Sequence, residues 1–250
     1  HQIFSRGLQH KVPVMVGFTQ DEFSAMAGVI APLPDSAGDY ERGVSKRYAG
    51  LSNDYLEVYP ASRIVDSAYD AIRDGFLGWS SVNVARQMYK ANENAYLYYF
   101  THVPPGGDRK AVGPGGKGSR ELGAYHAGEI AYAFDNLGVE DKYGPNWPEG
   151  PTTESDKQLA TVMSDYWLAF AHAGKPDLKG LPEWKPYTQS QQDYMEFNGR
   201  TSSIGAEPKK RPLTPAFELW DKIFANRYEE GRYWERFQVG YWHLTNDELE

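Results

Sequence analysis

Short apolar runs alternate with longer amphipathic segments along this 250-residue chain. The runs at residues 12–19 and 95–100 are rich in β-branched or aromatic side chains and are bounded by turn-forming residues, which predicts two strands. A shorter alternating run at residues 194–197 predicts a third strand. The first run is apolar throughout, so we expect a strand buried on both faces, as in a parallel sheet.

The segments between these strands carry helical periodicity. Residues 153–173 are the clearest case, because Thr153 with Asp156 is a helix-start pattern and Gly174 predicts the end. One face of this helix is apolar and is expected in the core: Leu159, Val162, Met163, Tyr166, Trp167 and Phe170. Further helices are predicted over residues 39–48, 53–58, 63–91 (interrupted near Gly75 and Gly78) and 214–227. The alternation predicts an α/β fold, a sheet with flanking helices whose remaining strands lie elsewhere.

A glycine-rich segment follows the second predicted strand. Residues 104–118 hold six glycines and three prolines, which predicts a flexible loop. The segment is not a phosphate-binding loop, because Lys117 is followed by Gly118 where that motif needs serine or threonine. Nucleotide binding is therefore not expected.

The composition excludes several functions. The net charge of −8 leaves no basic stripe to neutralise phosphates, so no nucleic-acid partner is expected. The chain lacks cysteine, which excludes disulfides, cysteine nucleophiles and thiolate metal sites, and its histidines lack metal-ligand spacing. We therefore predict no metal and no other cofactor. No apolar run reaches the roughly 18 residues of a membrane-spanning helix, so no membrane span is predicted.

Glu22 is the first candidate for catalysis, because it follows the strand predicted at residues 12–19. In open α/β sheets, ligands bind in the crevice beyond the carboxyl ends of the strands. A carboxylate at such a place can hold an imidazole in the correct tautomer and stabilise its protonated form. The local pattern alone also allows a simpler interpretation, in which Asp21 and Glu22 are a solvated acidic pair in a turn.

His126 is the second candidate, set among the small residues Gly123, Ala124, Ala127 and Gly128. A histidine can act as a general base and then as a general acid near neutral pH. The alternative is a loop histidine bonded only to backbone. The remaining histidines have no comparable setting in the sequence: His1, His10, His102, His172 and His243.

Glu129 comes three residues after His126 and is flanked by apolar side chains. If this carboxyl group is buried it needs partners, and it could support the histidine loop from behind. The alternative is an ordinary acid at a helix start, favoured by the helix dipole. The local pattern does not decide between the two.

The chain holds an acid and a histidine in the order of a serine-hydrolase triad but no nucleophile. In α/β-hydrolases the order is serine, then Asp or Glu, then histidine, with the serine on a G-x-S-x-G turn. No serine here has glycines two residues to either side. A nucleophilic serine would therefore lie outside this chain.

Four segments in the same order and spacing resemble the C-terminal half of type-B carboxylesterases, the cholinesterase-like branch of the α/β-hydrolase fold. They are the acid segment at residues 12–22, the aromatic strand at 96–100, the histidine segment at 126–130, and a helix with its exit at 167–176 and 184–187. The sequence departs from the family pattern at Phe23, where glycine is usual, and at Lys185, which interrupts the usual Trp-Pro. The tail beyond about residue 205 does not align with that pattern.

The resemblance implies a serine esterase acting on a small-molecule carboxylic ester, with Glu22 as the triad acid and His126 as the triad histidine. Residues 1–250 would be the C-terminal part of a single α/β-hydrolase catalytic domain. In this family the serine and the glycine-rich oxyanion loop lie in the N-terminal half. The chain would then be either one product of a proteolytic cleavage or one of two separate pieces of the protein, tightly associated with an N-terminal fragment that carries both.

Two other functions remain open at this stage. Some cholinesterase-like proteins keep the scaffold without the nucleophile, so the chain could belong to a catalytically inactive interaction module. A glycosidase would instead use Asp21 or Glu22 with Glu129, as carboxylates about 5–9.5 Å apart. That function would leave His126 unexplained.

Overall fold

The computed structural model describes residues 2–29, 33–138, 148, 150–199 and 204–229. The strands are β1 (Val14–Thr19), β2 (Ala95–Phe100), β3 (Lys110–Val112), β4 (Ser119–Glu121), β5 (Asp193–Phe197) and β6 (Ala206–Lys210). The α-helices are α1 (Gln2–Ser5), α2 (Ala37–Tyr48), α3 (Ser52–Val58), α4 (Ile64–Ile72), α5 (Trp79–Lys90), α6 (Ile130–Ala133), α7 (Glu154–Ala173) and α8 (Thr214–Glu229). Short 3-10 segments lie at Ser24–Val29, Ala49–Leu51, Ala61–Arg63 and Pro114–Gly116, and a π-helix at Arg73–Gly78.

The chain divides into two compact units. The sheet unit comprises His1–Gln20, Ser80–Arg109 and Gly123–Pro212. The helical unit comprises Asp21–Trp79, Lys110–Leu122 and Leu213–Glu250. No helix within the described ranges combines the length and apolarity that crossing a membrane requires.

The sheet unit is built on four strands in the order β1-β2-β5-β6. β1, β2 and β5 run parallel, which confirms the predicted parallel sheet, and β6 pairs antiparallel with β5. The sequence did not predict β6, because it is mostly charged and contains Pro208. Proline is tolerated in an edge strand, where its missing N–H faces away from the ladder.

β1 differs from the expectation of a strand buried on both faces. Its first four residues, 14–17, are partly exposed, and only Phe18 and Thr19 are buried. By contrast β2, which has a neighbour on each side, is buried at five of its six positions. The difference follows from position, since β1 is the end strand of the described sheet.

The core of the sheet unit forms where α7 packs on the sheet. Leu159, Met163 and Tyr166 of the helix lie in one apolar cluster with Met195 and Phe197 of β5. Burying each such side chain contributes about 1.5–3 kcal/mol. The predicted helix is confirmed at both ends. Thr153 and Asp156 form a reciprocal capping box, and Gly174 ends the helix with φ of 69°.

Gly17 of β1 makes room for an aromatic ring. It pairs in register with Tyr98 of β2, and a Cβ added at Gly17 would overlap both the ring and the carbonyl group of Tyr98. The space left by the missing side chain lets the half-buried Tyr98 lie over β1, with its ring edge-on to Trp167 at 5.3 Å. This contact fixes where the Tyr98 hydroxyl points.

The helical unit holds a buried aromatic core with a polar centre. Trp220 Nε1 donates to the Tyr59 hydroxyl at 2.9 Å, and that hydroxyl donates to Asp74 at 2.9 Å. Arg73 Nε donates to the same carboxylate at 2.6 Å. Burial raises the pKa of Asp74, although Arg73 opposes the shift. These four side chains therefore satisfy one another's hydrogen-bonding groups.

The predicted helix break near Gly75 is a change of helix type. α4 and α5 are joined by the π-helix, so the segment is helical from Ile64 to Lys90. A Cβ at Gly75 would lie 2.6 Å from the Trp220 ring. The glycine is needed for this close approach.

The glycine-rich segment is only partly a loop, which corrects the prediction of a flexible loop over residues 104–118. β3 and β4 pair antiparallel and form a hairpin whose tip runs from residue 113 to 118. Each strand has three residues, too few to show the alternation of apolar and polar side chains that identifies a strand. The glycines of the tip therefore led to the prediction of a loop.

Candidate active site

The acid turn, residues 21–24, follows β1 directly and is buried. Glu22 is 3 % exposed and Asp21 8 %, so the alternative of a solvated acidic pair is wrong. The turn is tight, since Ser24 N donates to Asp21 O at 3.1 Å. Ser24 Oγ also donates to the Leu122 carbonyl oxygen at 2.6 Å, which ties the turn to the end of β4.

Arg120 of β4 holds the residue beside Glu22. Its guanidinium forms an ion pair with Asp21 and lies over the Tyr69 ring, 4.9 Å from the centroid. Both partners of the ion pair are largely buried, so solvent screens it less than a surface pair. Arg120 of the β3–β4 hairpin, a segment for which the sequence predicted a loop, therefore holds the acid turn in place.

Phe23 adopts a backbone conformation that suits glycine. Its φ is 66°, in the left-handed region that costs an ordinary L-residue about 1–2 kcal/mol. This explains physically why glycine is usual at this position in the resembling family. The Phe23 ring lies edge-on to Phe76 at 5.8 Å.

The histidine loop, residues 123–128, presents an exposed imidazole from a buried backbone. Ala124, Tyr125 and Gly128 are buried, whereas the His126 side chain is exposed. The loop is anchored at its start, where Gly123 N donates to Gly107 O at 2.7 Å. The exposure fits either a general base or a loop histidine bonded to backbone, so the catalytic role of His126 stays a prediction.

The end of the histidine loop is equally constrained. Gly128 N donates to Tyr125 O at 2.9 Å, and a Cβ at Gly128 would lie 2.9 Å from Pro104 Cγ. Ala127 has φ of 63°, a left-handed conformation like that of Phe23. Each candidate residue, Glu22 and His126, is thus followed by a strained non-glycine residue. Six further described non-glycine residues have a positive φ, so this conformation alone does not identify a functional site.

Glu129 lies behind the histidine loop, at the residue that precedes α6. The Tyr98 hydroxyl contacts Glu129 Oε1 at 3.4 Å, a long hydrogen bond, and the glutamate is half-buried. Glu129 therefore stands at a helix start and is contacted from β2, and its support of the histidine loop stays a prediction. The space over Gly17 is what allows Tyr98 to reach it.

The predicted site residues are distributed over both units. His126 and Glu129 lie in the sheet unit, and Glu22 lies in the helical unit, three residues after β1 ends. Because β1 and β2 are parallel neighbours, their carboxyl ends lie at the same edge of the sheet. Among the residues with described positions, no cluster of three or more His, Asp or Glu side chains could hold a metal ion.

The sequence missed a buried polar cluster around Asp156. His102 Nε2 and the Tyr132 hydroxyl each lie 2.6 Å from Asp156 Oδ1, and Thr153 N donates to Oδ2 at 2.7 Å. Thr153 Oγ1 donates to Oδ2 as well. His102 and Asp156 are 2 % and 4 % exposed. Nothing in the sequence indicates this setting for His102, because Tyr132, Thr153 and Asp156, which complete the cluster, are distant from it in sequence.

These donors change the acidity of Asp156. Burial alone would raise its pKa, but the hydrogen bonds from His102, Thr153 and Tyr132 lower the pKa below its ordinary value. An acid with a lowered folded-state pKa stabilises the fold above its unfolded pKa of about 3.9, and the stabilisation is lost as pH falls below that value.

We expect Asp156→Asn to lower the free energy of unfolding by about 2 kcal/mol at neutral pH. The difference from wild type should shrink as pH falls below about 4, because the carboxyl group of Asp156 then binds a proton in the unfolded chain while it is still ionised in the folded wild type, which favours unfolding. Urea denaturation of the variant and the wild type at a series of pH values measures this difference in the free energy of unfolding. Asp165→Asn, at an exposed acid on the same helix, is the matched control. A deficit that stays constant down to acid pH would contradict the prediction.

The chain is similar in sequence and in fold to several known proteins. The carboxylesterase family profile matches residues 1–215. The medium-chain fatty acyl-CoA hydrolase precursor of Anas platyrhynchos is 25 % identical over 244 residues, which cover 90 % of this chain and 41 % of that protein. Fumonisin B1 esterase of Sphingopyxis macrogoltabida is 27 % identical over 215 residues, covering 83 % and 36 %. Liver carboxylesterase 1 of Oryctolagus cuniculus is 27 % identical over 250 residues, covering 91 % and 40 %.

Solved structures give the same fold. A PNB esterase has a TM-score of 0.61 at 17 % identity, and a thermophilic PNB esterase has 0.63 at 17 %. Each match covers 88 % of this chain and 40 % of the esterase. The chain thus spans about two-fifths of the length of these relatives and forms part of an α/β-hydrolase sheet with flanking helices. The predicted resemblance is confirmed, and the chain belongs to the carboxylesterase family.

Proposed function

We propose that this chain supplies the acid and the base of a serine carboxylic-ester hydrolase. The observation that carries the proposal is the histidine loop, which exposes His126 from a backbone fixed at Gly123 and Gly128. An imidazole held in this way can reach a substrate without losing its orientation, which a general base requires.

The proposed roles follow the acyl-transfer chemistry of a triad. A serine on an N-terminal fragment attacks the ester carbonyl, and His126 accepts the serine proton. Glu22 orients His126 and stabilises its protonated form. His126 then protonates the leaving alcohol and later activates the water that hydrolyses the acyl-enzyme. Glu129 supports the histidine loop from behind, and backbone amides of the N-terminal fragment hold the oxyanion.

β1 offers a place for that N-terminal fragment. It is the end strand of the described sheet, and the edge of a sheet is where a further strand adds. The Ser81 hydroxyl already donates to the Gly17 carbonyl oxygen at 3.0 Å, so one acceptor of β1 is occupied. The relatives are also more than twice as long as this chain, which leaves room for a fragment carrying the serine.

The proposed substrate is a small-molecule carboxylic ester. The names of two relatives indicate different molecules, a fatty acyl-CoA, which is a thioester, and fumonisin B1. The hydrolysis of an acyl group, which the two names share, is therefore a better basis for a proposal than either molecule alone.

A fluorophosphonate probe tests the proposal, because it labels activated serines covalently. In the full-length enzyme, or with both fragments present, the label should appear on a serine of the N-terminal fragment and should vanish after heat denaturation. Intact-mass spectrometry locates it. Labelling of this chain would contradict the proposed division of the triad. A complete absence of labelling and of ester hydrolysis would favour the inactive interaction module.

A further inference from the structure

The Asp156 cluster, which consists of Asp156, His102, Tyr132 and Thr153, is unusual for the core in which it lies. Tyr132 belongs to the apolar cluster packed between the sheet and α7, and its ring is 5.3 Å from that of Phe100. Placing a charged carboxylate in such a core costs free energy that well-packed apolar side chains would not cost. The cluster therefore invites an explanation other than stability.

The cluster joins three parts of the chain that surround the histidine loop. His102 follows β2, Tyr132 lies in α6, and Asp156 is in the first turn of α7. The main chain reinforces the first of these contacts, since the amides of Thr101 and His102 both donate to Phe197 O. One carboxylate thus fixes α6 against the sheet and against α7.

The histidine loop lies between two of the segments that Asp156 holds. α6 begins four residues after His126 and contains Tyr132. Pro104, two residues after His102, is the residue against which Gly128 packs. A shift of either segment would move the backbone on which His126 stands.

We propose that Asp156 and Tyr132 are positioning residues for His126. Their hydrogen bonds set the place of α6, and α6 sets the place of the histidine loop. The donors to Asp156 are charge-assisted, so they are short and directional in a way that apolar contacts are not. This inference rests on the proposed role of His126, but its physical content, the ordering of the loop, can be measured independently of activity.

The chain offers a matched pair of variants. Tyr132 and Tyr166 are both fully buried in the same apolar cluster, and each hydroxyl donates one hydrogen bond of 2.6 Å. The Tyr132 bond goes to Asp156, whereas the Tyr166 bond goes to the Pro182 carbonyl, away from the histidine loop. Tyr132→Phe and Tyr166→Phe each remove one buried hydroxyl group, and the two variants differ only in which acceptor loses its hydrogen bond, Asp156 or the Pro182 carbonyl.

Amide hydrogen exchange is the readout that does not require activity. In the full-length enzyme we expect peptides covering residues 123–134 to exchange about tenfold faster in Tyr132→Phe. A tenfold change corresponds to the free energy that one hydrogen bond contributes to local stability. The same peptides should be unchanged in Tyr166→Phe. Equal exchange in the two variants would overturn the proposal.

Ester hydrolysis gives the second readout. We expect Tyr132→Phe to lower kcat by about 10- to 100-fold with KM nearly unchanged, because small misplacements of a catalytic group cost rates of that size. Tyr166→Phe should leave kcat within about twofold of wild type, as expected for a change remote from the site. Equal losses of kcat in both variants would show a merely structural role and overturn the proposal.

Asp156→Asn provides a further variant if Tyr132→Phe does not fold, and it should show the same faster exchange over residues 123–134. If wild-type enzyme hydrolyses no ester, the proposed function fails but the exchange comparison still decides the positioning role. If hydrolysis is present and exchange is unchanged in both variants, the proposed function stands and the positioning role fails.

Discussion

Replacing His126 with glutamine is expected to lower kcat for ester hydrolysis by about 10⁴-fold or more, because single members of serine-hydrolase triads have effects of this size. Glutamine cannot accept and return the serine proton, so both acylation and deacylation slow. KM should change little, since the imidazole contributes to the transition state more than to substrate binding. Initial rates with a nitrophenyl ester at saturating concentration measure the effect in the full-length enzyme.

His172 provides the control for this experiment. It is an exposed histidine in the last turn of α7, so His172→Gln makes the same chemical change without affecting the histidine loop. We expect its kcat to remain within about twofold of wild type, and both variants to unfold within about 0.5 kcal/mol of wild type as surface substitutions. If His126→Gln kept more than a tenth of the wild-type kcat, His126 would not be the general base.

Gly17→Ala is expected to have the largest effect on stability, about 3 kcal/mol or more in the free energy of unfolding. The added Cβ would overlap the Tyr98 ring and also the Tyr98 carbonyl, which belongs to the neighbouring strand and cannot rotate away. Such a loss is a large share of the 5–15 kcal/mol that holds a typical domain together. Thermal or urea denaturation of the full-length enzyme measures it.

The same change should be harmless at Gly50. A Cβ there meets nothing within 4 Å, so Gly50→Ala is expected to change stability by about 0.5 kcal/mol or less. Gly17→Ala should also displace Tyr98 from Glu129, so hydrolysis should fall even under conditions in which the variant remains folded. If the two alanine variants were equally stable, the close approach of Tyr98 to β1 would be wrong.

The sequence predicted the strands and helices that can be recognised from their own residues and the turns that bound them. β2 is recognisable because six consecutive apolar residues are bounded by polar turns, and α7 because Thr153 and Gly174 signal both ends. The sequence also predicted that β1 belongs to a parallel sheet, although not that its neighbour is β2. These features depend on the residues within each segment and little on what packs against them.

The features that the sequence did not predict depend on distant partners. β6 exists because β5 pairs with it, and its own residues favour a loop. The burial of Glu22 depends on tertiary packing around the acid turn, including the tie from Ser24 to Leu122. His102 and Asp156 are 54 residues apart, so their contact could not be inferred from spacing.

Phe23 is an intermediate case. Its occurrence where the resembling family has glycine marked a departure in the sequence, but only the backbone shows what glycine would do there. The left-handed φ of Phe23, shared by Ala127 after His126, identifies two positions at which conformation rather than side-chain chemistry is constrained. A single sequence shows that residue 23 is phenylalanine, but it does not show the positive φ at which a non-glycine residue costs free energy.

The strand order of the sheet unit has a consequence for folding kinetics. Val14 pairs with Ala95 and Tyr98 with Met195, across separations of 81 and 97 residues, whereas Phe197 and Ala206 are only nine apart. Long chain segments must therefore close before the parallel strands gain their contacts, which makes such sheets slow to form. The β5–β6 hairpin can assemble early. The segments that anchor the histidine loop extend from β2, so we expect His126 to acquire its final position only after the parallel strands have paired.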